Sequence, residues 1–301
     1  MTASAPTFGG YNETDMRRIL RQACDAVGLD SEGAHILRGH TNAVVRLQNN
    51  PVVVKIARRG SRHGNVARTV RFVRWLMDRG FPTVRLLPVP QPITVDGGHL
   101  VTLWEYIPQP DHEVRAEQLA APLLTLHELP APPVDLPVHD NVTAIHRSLD
   151  SIHLLPETTL AFLRARLEQL AAELKAVTYH FPDTVLQGDP QHRNALHAHP
   201  RTLLCDWDTV SWGHCEWDLV TVEIHCRRFG HGNDHYKPFA DAYGFDITDW
   251  PGFPILRDLR ELRMITTNAR KIPNAPHTRP EIERRIEGLH LEDASMLWNI
   301  L

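Results

Sequence analysis

Apolar residues first recur at helical spacing: Met16, Ile19, Leu20, Ala23 and Val27 share one face and predict an opening helix. β signals follow. Residues 34–38, 43–48 and 52–57 read as short strands, separated by the loop Gly39-His40-Thr41-Asn42 and the turn Asn49-Asn50-Pro51. A second helix is expected over about 66–79, with Val66, Val70, Val73 and Met77 on its apolar face. Two further strands flank Asp96-Gly97-Gly98, the second over 100–107. Five strands with one inserted helix make an antiparallel lobe. After Pro108-Gln109-Pro110 helical spacing dominates, over about 115–128, 157–177, 216–227, 235–243, 255–270 and 281–298, with one β interruption at 194–206. The fold class expected is α+β, with a strand-rich domain over 1–107 and a helix-rich domain over 108–301.

Composition narrows the class. The 301 residues suffice for a two-lobed enzyme with a sizeable core. No run approaches the roughly 18 apolar residues a membrane span needs and no signal-like segment opens the chain, so a membrane protein is not expected, and the cysteine usage fits a reduced, cytoplasmic setting. The four cysteines show no C-x-x-C pair, and the nineteen histidines match no metal-ligand spacing, so they read as scattered surface groups. The net charge of −4 hides a split. Residues 1–100 hold fourteen Arg and Lys against seven Asp and Glu, a balance of +7 that leaves −11 for the remainder. The basic residues lack aromatic interleaving, which argues against nucleic acid.

Two segments carry chemistry. The first is Gln187-Gly188-Asp189-Pro190-Gln191-His192-Arg193-Asn194, followed by Cys205-Asp206-Trp207-Asp208. A hairpin centred on Pro200 would set Asn194 beside Asp206 at its open end, with Asp189 on the loop leading in. Such oxygen ligands suit Mg2+, and Asp-x-x-x-x-Asn is the spacing of a kinase phosphotransfer loop. The second is Lys55, one of only four lysines against twenty-eight arginines, inside the apolar run 52–57. There an ammonium needs a partner, and phosphate oxygens would serve.

With these residues the sequence resembles the aminoglycoside phosphotransferase/choline kinase-like family, from about residue 30 to 270. The resemblance implies a protein-kinase-like two-lobed fold and an enzyme using ATP and Mg2+. It gives Lys55 and the loop Gly39, His40, Thr41 and Asn42 to the ATP phosphates, and Glu105, Tyr106 and Ile107 to adenine. Asp189 would be the catalytic base, Asn194 and Asp206 the metal ligands, and Gln187 and Asp218 supports of the loop. Two departures stand out. Gln187 replaces the histidine usual before Gly-Asp, and Thr69 stands where the family places a glutamate that pairs with the lysine. With no Asp or Glu between Glu32 and Asp78, Lys55 must be positioned by Asp206, by phosphate or by a residue from elsewhere.

The leading expectation is an ATP-dependent kinase acting on a hydroxylated small molecule; the alternative is a nucleotide-binding pseudokinase with a sensing or scaffolding role. The charge split points to a cationic acceptor, aminoglycoside-like or a related metabolite, with Asp208, Glu216, Glu223, Asp258 and Glu261 as candidate contacts.

Overall fold

The computed structural model describes residues 9–39 and 41–301. They gather into two units: one runs up to residue 113 and includes 132–136 and 196–208, and the other holds 114–131, 137–195 and 209–301.

The first unit is built on one antiparallel sheet. Its strands are β1 (His35–Arg38), β2 (Ala43–Arg46), β3 (Val52–Ile56), β4 (Ile93–Val95) and β5 (His99–Glu105), in the order β1-β2-β3-β5-β4. Burial alternates along β2 and β3, so Ala43, Val45, Val52, Val54 and Ile56 face inward. Helix α1 (Glu13–Asp25) begins where the Asn12 side chain accepts from the Asp15 N–H, and it lays Met16, Ile19, Leu20 and Ala23 into that core. Helix α2 (His63–Asp78) buries Val70, Phe72, Val73, Trp75 and Leu76. It stops at Gly80, whose φ of +67° lets its N–H reach Met77 O while Phe81 N–H reaches Leu76 O.

The expected boundary at 107/108 understates this unit. Residues 196–208 return to it, carrying most of a hairpin of β7 (Ala195–Ala198) and β8 (Arg201–Leu204). Val84 N–H donates to Leu204 O, Leu204 N–H donates to Pro82 O, and Trp207 Nε1 donates to Thr83 Oγ1 at 2.8 Å. The Trp207 ring is fully buried, with Phe72 at 5.4 Å and Phe81 at 5.9 Å.

The second unit is mainly helical: α3 (Ala116–His127), α4 (Asn141–Asp150), α5 (Glu157–Leu174), α6 (Glu216–Arg228), α7 (Asn233–Tyr243), α8 (Phe253–Ala269) and α9 (Arg279–His290). Helix α6 is buried on nearly every side, as expected of a helix at the centre of a packed unit. Leu163, Leu167, Leu259, Leu262 and Ile265 form the core beside it. Three features depart from the sequence pattern. Helix α4 was not expected, although Asp140 caps it and Val142, Ile145 and Leu149 keep helical spacing. Strands β6 (Asp183–Leu186) and β9 (Ser211–His214) pair antiparallel outside the one expected β segment. Helix α9 ends at His290 rather than near 298; Glu292 then takes a φ of +52° and Trp298 turns back so that its N–H meets Arg228 O. Among the described residues no helix is long and apolar enough to cross a membrane.

Candidate active site

Lys55 sits in β3 opposite Val44 and Thr102, on the face away from buried Val54. Its side chain is 15% exposed and its Nζ lies 2.8 Å from Asp206 Oδ1 and 2.8 Å from Asp208 Oδ1. Burial opposes the ammonium charge, yet the two carboxylates outweigh it and hold the pKa above its ordinary value. Burial likewise opposes ionisation of Asp208, and Lys55 with a hydrogen bond from Asn42 Nδ2 (2.8 Å) holds that carboxyl below its usual range. Asp206 adopts φ +58°, a left-handed conformation that few non-glycine residues take and that Asp tolerates. Asp208 thus belongs with Lys55, a partnership the sequence reading did not foresee; its position two residues beyond Asp206 was the available signal. The missing glutamate is made good here: Thr69 Oγ1 donates to Asn65 O, and two aspartates serve Lys55 instead.

Other expected nucleotide contacts have partners within this unit. Asn42 Oδ1 accepts from Arg58 N–H, and Gly39 O accepts from Gly9 N–H. Thr41 follows in the same loop as a bend, and His40 lies outside the described residues. Glu105 N–H donates to Arg85 O and Tyr106 N–H to Pro51 O, so these two donors are committed to protein carbonyls. Arg46 lies over the Tyr106 ring at 4.0 Å, and Ile107 O accepts from Gln109 Nε2.

The second unit holds the Gln187–Asn194 loop. Asp218, fully buried at the start of α6, accepts the N–H groups of Gln187 (2.7 Å) and Gly188 (2.9 Å) and meets His127 Nε2 at 3.2 Å. Gln187, also fully buried, accepts the Asp189 N–H through Oε1 at 2.7 Å. Gly188 has φ +85° and a Cβ there would stand 2.5 Å from Thr209 O, so the turn requires glycine. Trp217 Nε1 donates to Gly188 O. These bonds fix the backbone on which Asp189 sits.

Asp189 is 28% exposed. Its Oδ2 accepts from Gln191 Nε2 at 2.9 Å and lies 3.3 Å from Asn194 Nδ2, which also donates to Asp189 O. Its Oδ1 accepts a short charged hydrogen bond from Arg260 Nη2. Arg260 comes from α8, seventy-one residues away, with no local signal in the sequence. The hairpin is also shorter than expected: Asn194 closes a 3-10 turn before β7, and Asp206 follows the end of β8, so neither lies on a strand. Asn194 falls in the second unit and Asp206 in the first.

His192 is buried, against the expectation of scattered surface histidines. Its Nε2 lies 2.8 Å from that of His235, and the rings of His192, His231 and His235 pack with centroids 4.5 to 4.9 Å apart. Burial and then the neighbouring histidines push the His192 pKa down to about 3, so this neutral imidazole ties the loop to α7.

The acidic residues named for a cationic acceptor have internal partners. Glu216 accepts the N–H groups of His180 and Phe181, and Glu223 pairs with Arg227. Glu261 pairs with Arg227 and Arg228, and Asp258 with Arg166 and Arg257. They neutralise arginines or cap backbone rather than forming an anionic surface.

Solved structures similar to this chain include a choline kinase, an amicoumacin kinase and a spectinomycin phosphotransferase. Choline kinase LicA from Streptococcus pneumoniae is 17% identical, with a TM-score of 0.68 over 92% of this chain and 99% of that one. The amicoumacin kinase hAmiN, solved with AMP-PNP, Ca2+ and Ami, is 12% identical, with a TM-score of 0.70 over 96% of each chain. A spectinomycin phosphotransferase with ADP and its antibiotic is 14% identical, with a TM-score of 0.64 over 89% and 93%. These likenesses establish the protein-kinase-like fold. No curated protein sequence matches the chain. The sequence profile of the phosphotransferase enzyme family matches residues 33–256, three quarters of the chain with Lys55, Asp189 and Asp206 among them, and the protein belongs to that family.

Proposed function

We propose that the protein transfers the γ-phosphoryl group of ATP to a hydroxyl of a small molecule. The observation that carries this reading is the setting of Asp189: one carboxylate oxygen held by Arg260, the other facing two amides, on a loop fixed by Asp218. A partly exposed carboxylate whose orientation is fixed by these hydrogen bonds is suited to take the proton of an attacking hydroxyl. In that step the acceptor oxygen bonds to the γ-phosphorus, the bridging P–O bond breaks, ADP departs and the hydroxyl proton goes to Asp189. Lys55 would meet phosphate oxygens as a point charge. Asp206 and Asn194 are each hard oxygen donors of the kind Mg2+ takes. Mg2+ would supply neutralisation of polyphosphate charge.

The pseudokinase reading drew on Thr69 and Gln187. Asp206 and Asp208 serve Lys55 where Thr69 does not, and Gln187 orients the Asp189 backbone, which favours turnover. The test is Asp189→Asn. ADP release with a productive acceptor should fall by about 10²–10⁴-fold while nucleotide binding, followed by thermal shift with ATP and Mg2+, persists. Unchanged turnover would remove Asp189 from this role.

A further inference from the structure

Helix α8 brings two guanidinium groups toward a single carboxylate. Arg260 and Arg263 are one turn apart on the same helix face, and the guanidinium carbon of each lies 5.4 Å from the Trp217 ring centroid. Arg260 is 6% exposed; Nη2 is committed to Asp189, and Nε is buried with no hydrogen-bond partner. Arg263 donates to Asn141 Oδ1 and lies 3.5 Å from His139 Nε2. Both of those partners are neutral, since burial, followed by the charge of Arg263, pushes the His139 pKa down to about 4. Burial and then the charge of Arg260 lower the Arg263 pKa to about 10. Among the described residues no carboxylate forms a direct ion pair with Arg263, although the charges of Asp189 and Asp140 act on it from nearby.

The same unit treats its other buried arginines differently. Arg227 and Arg228 share Glu223 and Glu261, and Arg285 has Glu281. Here two guanidinium groups share the Asp189 carboxylate, and the buried Arg260 Nε has no hydrogen-bond partner, so this place can take an anion from outside the chain. Arg263 is only half-buried and Asp189 is 28% exposed, so a ligand can reach both. A guanidinium is a planar fork that matches a carboxylate in two hydrogen bonds.

We propose that Arg260 and Arg263 form an anion-binding subsite that takes the carboxylate of a hydroxy acid and presents its hydroxyl to Asp189. This rests on the phosphotransfer reading above and names the acceptor class for that same site. It also reverses the cationic acceptor suggested by the charge split.

The experiment measures ADP release with acceptors matched in skeleton and differing in charge: gluconate against glucose and glucosamine, and glycerate against glycerol and serinol. The acid should exceed its neutral and cationic counterparts by about tenfold or more in kcat/KM. In Arg263→Gln that preference should shrink about tenfold through KM, with partial recovery in Arg263→Lys. Turnover that prefers the neutral or cationic members overturns the proposal and leaves the phosphotransfer reading intact. If no acceptor turns over, tryptophan emission is titrated with gluconate, with Trp217→Phe identifying the reporter. A saturable change lost in Arg263→Gln supports the subsite while the phosphotransfer reading fails, and no saturable change overturns the subsite.

Discussion

The two candidate centres are electrostatic opposites. Around Lys55 one ammonium faces two carboxylates, Asp206 and Asp208; around Asp189 one carboxylate faces Arg260, with Arg263 beside it. At the first a cation is held by carboxylates, and at the second a carboxylate is held by a guanidinium. Yet the first hundred residues are basic by +7 and the remainder acidic by −11. The aspartates that hold Lys55 come from the acidic remainder of the chain, so the regional sums do not map onto the two centres. The regional sums are set mainly by solvated groups, while internally matched pairs such as Glu261 with Arg228 add nothing to them. Charge at a site has to be counted among the groups that touch it.

Removing the cation from the first centre should give the largest effect. In Lys55→Met the two carboxylates lose the group that lies between them, one of them should protonate more readily, and kcat/KM for ATP should fall by about 10²–10³-fold. Steady-state kinetics at varied ATP check this, and retention of activity would show that the lysine is not the phosphate contact. The next effect concerns how firmly the second centre is held. Gly188→Ala places a Cβ 2.5 Å from Thr209 O at φ +85°, and should cost about 1–3 kcal/mol in denaturant unfolding. A neutral result would mean that the turn relaxes and Asp189 is less fixed than its hydrogen bonds indicate.

The smallest effect is a pH dependence of stability near the second centre. His139 has a folded pKa lowered to about 4, whereas the unfolded chain binds a proton near the ordinary value of about 6.5. The unfolded state thus holds more protons across that window, and stability falls as pH drops from about 6.5 toward 4. Between pH 7 and pH 6 the loss should be on the order of 0.5 kcal/mol, and His139→Gln should flatten the slope. An unaltered slope in that variant would assign the effect to His192 or another group.

Legibility differed between the centres for a physical reason. The strands around Lys55 were readable because period-two burial and a three-residue turn leave a local trace, and the lysine stood out as an ammonium in an apolar run. Asp189, Asn194 and Asp206 were singled out from the Asp-x-x-x-x-Asn spacing together with an expected hairpin register, although neither Asn194 nor Asp206 lies on a strand. Arg260 was not: it reaches Asp189 from α8, and one arginine on a helix with several gives no sign of which carboxylate it will meet. The same holds for Asp208, whose type fitted an acceptor contact as well as a partner for Lys55. Helix α4 escaped notice because it is ten residues long and follows a proline-rich stretch, although its cap and apolar spacing were present.

Trp207 has a consequence for how the chain is made. It fills the space beside Phe72 and Phe81, and Asp206 beside it supplies a carboxylate to Lys55, yet both lie beyond much of the helical unit in chain order. A ribosome that has released only the first 113 residues has delivered the sheet without the indole that completes its apolar packing and without either aspartate for its lysine. The strand-rich unit is thus N-terminal in position but late in completion. Until residue 208 emerges, the nascent chain carries an apolar face and an uncompensated buried ammonium, a stage at which chaperone contact and aggregation compete with folding.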